Sequence, residues 1–168
     1  PTDSHRIPAE WMPQKATIVG FPSHPPLWAG QLLHEAQQEV AALCNHIVSS
    51  QACIVLVANE QAASAAKRLL SERVEIILFD FGDIWFRDIA PIFTGGTDVT
   101  GRTTALRFSH NGWGGKYVYP FDDCAAQRLS ERLQLDATPF DFVLEGGALD
   151  HNGEGAILTT RQCLLNSN

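Results

Sequence analysis

Ala52-Cys53-Ile54-Val55-Leu56-Val57-Ala58 is an unbroken apolar run, rich in β-branched residues. Such a run reads as a strand covered on both faces, the pattern of a strand inside a parallel sheet. Upstream, Leu33, Ala36, Val40, Leu43, Cys44 and Ile47 recur at three- and four-residue steps. They form one face of a helix from about Gln31 to Ser50. Before it, Lys15 to Phe21 reads as another strand, stopped by Pro22-Ser23-His24-Pro25-Pro26. Downstream, Glu60 to Ser71 fits a second helix with Ala63, Ala66, Leu69 and Leu70 inward, and Val74 to Phe79 reads as the next buried strand. Strands alternating with helices predict an α/β fold.

The second half is richer in strands. Ala90 to Thr94 and Thr103 to Ser109 flank a Gly-Gly-Thr-Asp turn and predict a hairpin. Asn111-Gly112-Trp113-Gly114-Gly115-Lys116-Tyr117 is a glycine-rich loop, and Asp122 or Asp123 is placed to cap a helix through Leu133. Phe140 to Leu144 predicts a strand. Asn152-Gly153 signals a tight turn that would pair Gly147–Asp150 with Ala156–Thr160. No segment has linker composition, so residues 1–168 are expected to form a single domain.

The chain has 12 basic and 19 acidic residues, a net charge of -7. This repels nucleic acid and suits a small cationic substrate. No stretch approaches the roughly 18 apolar residues of a membrane helix, and the N-terminus lacks the apolar core of a signal peptide. Cys44, Cys53, Cys124 and Cys163 are widely spaced, with no Cys-x-x-Cys and no zinc pattern. They are expected to be reduced and mostly buried, in a cytoplasmic protein. The six histidines form no close ligand set, so no metal site is expected.

Two acidic motifs follow predicted strands. In Asp83-Ile84-Trp85-Phe86-Arg87-Asp88, one reading is a loop salt bridge in which Arg87 neutralises Asp83 or Asp88. The other is a carboxylate that accepts the N–H fork of a guanidinium, with Trp85 as a cation–π wall. Glu145-Gly146-Gly147 is either a strand-end turn or a carboxylate that orients a catalytic histidine. Its glycines supply backbone freedom, or they let another group approach closely. The Asn111–Tyr117 loop matches neither a P-loop nor a dinucleotide fingerprint. Trp113 either packs on the core or lines a pocket. Asp150-His151-Asn152-Gly153-Glu154 lacks the spacing of a calcium loop.

Pro8-Ala9-Glu10-Trp11 with Pro13, Phe21-Pro22, Asp83 to Asp88 with Pro91, Asn111 to Tyr117, Leu144 to Gly147, and Thr159-Thr160 with Gln162-Cys163-Leu164-Leu165-Asn166 occur in this order. Together they resemble the agmatine deiminase family, also called the Porphyromonas-type peptidyl-arginine deiminase family. The resemblance covers nearly the whole chain but only the N-terminal half of such proteins. It implies a partial pentein, an α/β propeller of ββαβ modules. It also implies a C–N hydrolase that converts a guanidinium to a ureido group plus ammonia, through a cysteine-bound intermediate. Agmatine would become N-carbamoylputrescine, a step of polyamine metabolism.

By this resemblance Asp88 clamps the guanidinium and Glu145 sits by the catalytic histidine. From the residues themselves, Trp85 is expected to wall the substrate site and Trp113 to line it. The family's His-x-Asp pair and its nucleophilic cysteine fall in the other half, so the isolated chain is expected to be inactive. No cofactor is implied. The expected partners are a guanidino substrate, the C-terminal half of the fold and further copies of the chain, with no nucleic acid and no membrane. The rival readings are a peptidyl-arginine deiminase, a non-catalytic guanidine-binding or assembly module, and a two-carboxylate glycosidase that uses Asp88 and Glu145.

Overall fold

The computed structural model describes residues 6–95 and 103–166. The fold is α/β, and the chain divides into two compact units. One is Pro13–Phe86. The other joins the chain from Arg87 onward to the segment that ends at Met12.

The Pro13–Phe86 unit is a three-stranded parallel sheet. Its strands are β1 (Thr17–Gly20), β2 (Cys53–Val57) and β3 (Glu75–Leu78), in the order β1-β2-β3. Val19 stands beside Val55, and Val55 beside Ile76. The apolar run becomes the central strand, with neighbouring Val55 and Leu56 both fully buried, so both of its faces are covered. The crossovers are α1 (Leu32–Ile47) and α2 (Glu60–Leu69). Phe21, Ala41, Cys44, Val48, Ala63 and Ala66 pack into one core with β2.

Two expectations change here. Val74–Phe79 does not form a buried strand: β3 is at the sheet edge, with Glu75 and Leu78 exposed. Leu43 does not face the core, being 54% exposed. Gln37 is buried on α1 instead, because its amide finds a carbonyl: Nε2 donates to Pro22 O at 2.9 Å.

Asn59 caps α2. Its Oδ1 accepts from Ala62 N at 2.8 Å, and its Nδ2 donates to Ser23 O at 2.8 Å. The side chain satisfies an orphan helix donor and ties α2 to the loop after β1. Asn59→Ala is expected to lower stability by about 1–2 kcal/mol in urea denaturation.

Cys44 and Cys53 are buried, but Cys124 is only partly buried and Cys163 is exposed, so burial holds for two of the four thiols. Burial, with Cys53 alongside, pushes the Cys44 thiol from its usual 9.0 up to about 12. Burial raises the Cys53 thiol as well. A raised thiol pKa means that folding favours the protonated form. The resulting stability is whole below about pH 9 and falls as pH rises toward 12. Alkaline denaturation of Cys44→Ala should therefore begin at higher pH than that of the wild type.

In the second unit, β4 (Ile92–Gly95), β5 (Thr103–Ser109) and β6 (Ala137–Val143) form a mixed sheet in that order. β4 and β5 pair antiparallel, as the hairpin reading expects, and the turn lies outside the described residues. β5 and β6 are parallel, so a crossover must join them. It contains α5 (Ala125–Arg132), which packs on β5, where Ala105 and Ala125 are fully buried.

Neither Asp122 nor Asp123 caps this helix. They lie in a 3-10 turn, Asp122–Cys124, and Cys124 occupies the cap position without a side-chain hydrogen bond. Asn152-Gly153 does not form a two-residue turn either. The hairpin is shorter, β7 (Asp150–His151) with β8 (Ile157–Leu158), and Asn152 Oδ1 closes the wider loop by accepting from Glu154 N and Ala156 N. A single-turn helix, α6 (Arg161–Leu164), is capped by Thr160. Among the described residues, no helix is long and apolar enough to cross a membrane.

Candidate functional site

Strand direction gathers three motifs at one edge of the mixed sheet. β4 runs opposite to β5 and β6, so its start lies at the edge where the other two end. Asp88 lies in the helical turn α3 (Phe86–Ile89), just before β4. The turn α4 (Gly112–Gly115) follows β5, and Glu145-Gly146-Gly147 follows β6. Ends of parallel strands are where α/β folds place ligand-binding groups.

Asp88 is the meeting point. Trp113 Nε1 donates to its Oδ2 at 3.0 Å, and Gly147 N donates to its Oδ1 at 3.0 Å. Each oxygen thus accepts one neutral donor and retains a further lone pair. The carboxylate is oriented without being neutralised. Arg87, next to it in sequence, turns away: its Nη1 donates to Glu10 Oε1 at 2.7 Å, with both side chains largely exposed. The reading in which Arg87 neutralises Asp83 or Asp88 gives way to this ion pair, which adds little to stability.

The glycines of the second motif are there for space. A Cβ on Gly146 would overlap the carbonyl oxygen of Arg87, and one on Gly147 would overlap Asp88 Oδ1. Neither has the left-handed backbone that favours glycine. Glu145 opens the 3-10 turn Gly146–Ala148, where its carbonyl accepts from Ala148 N at 2.9 Å. Its half-buried carboxylate has no partner among the described residues. Among the described residues, no histidine bonds to it.

Trp113 is held in left-handed backbone, φ 54° and ψ 52°. For a residue with a side chain this costs roughly 1–2 kcal/mol. Asn111 Oδ1 braces the turn by accepting from Gly114 N at 2.8 Å, and the indole packs edge-on against His110 and Tyr117. Its polar edge is committed to Asp88.

Trp85 belongs to the other unit, where its indole N–H donates to Asp83 Oδ2 at 3.0 Å. The same Asp83 accepts from Ile84 N through Oδ1 at 2.7 Å. Three of the four expected site residues, Asp88, Trp113 and Glu145, therefore share one strand edge. Glu10 and His110 carry no local sequence signal for the places they take. Among the described residues, no group of three or more His, Cys, Asp or Glu could hold a metal ion.

The model of the Porphyromonas-type peptidyl-arginine deiminases matches residues 6–168. The chain belongs to that family. An agmatine deiminase of Stutzerimonas stutzeri is 33% identical over 172 residues, covering 99% of this chain and 46% of that protein. One from Pseudomonas aeruginosa is 32% identical, with the same coverage. The solved agmatine deiminase of Enterococcus faecalis superposes with a TM-score of 0.87 at 28% identity, over 98% of this chain and 46% of that one. The C. jejuni enzyme gives 0.77 at 28%, over 98% and 48%. The chain thus spans about half the length of the relatives it matches. Its α/β fold is the corresponding part of theirs.

Proposed function

We propose that this chain is the N-terminal half of an agmatine deiminase-like hydrolase and that Asp88 recognises the guanidinium of its substrate. The observation that carries this is the double support of Asp88, with Trp113 Nε1 on one oxygen and Gly147 N on the other. A guanidinium fork needs two carboxylate oxygens in a fixed plane, and these neutral donors hold that plane while leaving the charge uncompensated. Glu145 is assigned to a histidine outside the chain, consistent with its unpartnered carboxylate. Trp113 borders the bound cation. Trp85, three residues before Asp88, is assigned to substrate binding on the motif alone.

In the complete hydrolase a cysteine thiolate would attack the guanidinium carbon and form a C–S bond. The C–N bond to the leaving nitrogen would break with protonation to ammonia, and water would then release the ureido product. None of the four cysteines here is suited to the attack. Cys44 and Cys53 are held protonated by burial. Cys163 accepts from Thr160 Oγ1 within a single-turn helix, and Cys124 donates to Phe121 O. The isolated chain is therefore assigned binding without turnover, and its widely spaced, unpaired cysteines support a cytoplasmic setting.

Calorimetric titration with agmatine tests this. We expect weak, saturable binding that guanidinium ions compete away and that putrescine, which lacks the guanidino group, does not reproduce. Equal binding of putrescine would remove the guanidinium from the recognition step.

A further inference from the structure

His110 is the first residue beyond β5 at the site edge. Its imidazole stands nearly perpendicular to the indole of Trp113, at 86° with centroids 4.8 Å apart. Both ring nitrogens are buried, and neither has a hydrogen-bond partner among the described residues. Buried polar atoms are seldom left this way, so each instance asks for an explanation. Among the described residues, the side-chain contact that the ring makes is the one with Trp113. That contact bears on a residue whose left-handed backbone persists only where its surroundings fix it. Tyr117 also touches the indole, from 6.3 Å, but Tyr117 is itself exposed. His110 is the nearer and better-buried support.

We propose that His110 is a positioning residue. By packing edge-to-face on Trp113 it aims the indole N–H at Asp88 Oδ2, and so sets the plane in which Asp88 meets a guanidinium. The last step rests on the function proposed above, whereas the chain of contacts from His110 through Trp113 to Asp88 does not.

The test uses the full 168-residue chain with its tryptophan indoles labelled with nitrogen-15, the Trp113 signal being assigned by its loss in Trp113→Phe. In His110→Leu, which fills the space without a ring, the Trp113 indole resonance should shift and its solvent exchange should rise about 10-fold. Agmatine affinity should fall about 10-fold. His110→Phe, which restores the ring edge, should return both to within about 2-fold. An unmoved indole signal in His110→Leu would overturn the assignment. So would unfolding of that variant, which would make His110 a residue of the fold. If the wild-type chain binds no agmatine, the guanidinium reading fails, and the indole signal still decides the role of His110.

Discussion

Asp88→Ala is expected to lose agmatine binding by at least about 100-fold, close to 3 kcal/mol. Truncating one partner of a charged, bidentate contact typically costs 2–5 kcal/mol, and a half-buried site belongs in the lower part of that range. The alanine also strands two donors, Trp113 Nε1–H and Gly147 N–H. Each lost bond to a charged acceptor contributes about 1.5–3 kcal/mol to stability, so Asp88→Ala alone confounds binding with folding. Asp88→Asn separates them. It keeps the acceptor for Gly147 N and the shape of the side chain, but it has one acceptor oxygen where the fork needs two, and no charge. Its amide NH2 faces Trp113 Nε1–H and leaves that one donor stranded, so the expected result is a denaturation midpoint between those of the wild type and the alanine variant, with binding as weak as in the alanine variant. Wild-type affinity in Asp88→Asn would show that Asp88 only organises the strand edge.

Gly147→Ala should be the second large effect. Its Cβ would overlap Asp88 Oδ1 and press on Arg87 Cγ at 3.3 Å. The carboxylate is a side-chain end and gives way more readily than backbone; its rotation breaks the bond from Gly147 N and tilts the plane held by Trp113. Affinity for agmatine is expected to fall by about 10- to 100-fold, the equivalent of one hydrogen bond to a charged group. Gly146→Ala meets the carbonyl oxygen of Arg87, which is backbone and cannot swing aside. Its effect should appear as stability, about 1–3 kcal/mol of overpacking in denaturation. The pair predicts opposite signatures from neighbouring, chemically identical substitutions. Similar losses of stability with unchanged affinity in both would disconnect Gly147 from the carboxylate.

Local pattern carried the elements well where burial is symmetric. The Ala52–Ala58 run is apolar throughout because β2 has a neighbour on each side and cover on each face. The Val74–Phe79 run is apolar apart from Glu75, and β3 is an edge of its sheet, with Glu75 exposed there. Leu43 kept the helical spacing but missed the core, and Gln37 took an inward place because Pro22 O was there to receive its amide.

The site divides in the same way. The places of Asp88 and Glu145 beside strands were legible, because both lie in motifs that follow predicted strands; their roles are the proposal made above. The partner of Arg87 was not legible. Sequence proximity favoured Asp83 or Asp88, and the structure joins Arg87 to Glu10, far away in the chain. The two glycines were ambiguous between freedom and close approach, and only the folded backbone decides, since neither has a positive φ. His110 gave no signal at all, because an imidazole acting through a ring contact leaves no pattern of spacing.

The most direct test of the account is formation of the ureido product from agmatine by the 168-residue chain, alone and mixed with the C-terminal half of a relative such as the Stutzerimonas stutzeri enzyme. The account predicts no product from the chain alone, and product from the mixture that falls to background with Asp88→Asn. Product from the chain alone, or from a mixture indifferent to Asp88→Asn, would contradict it.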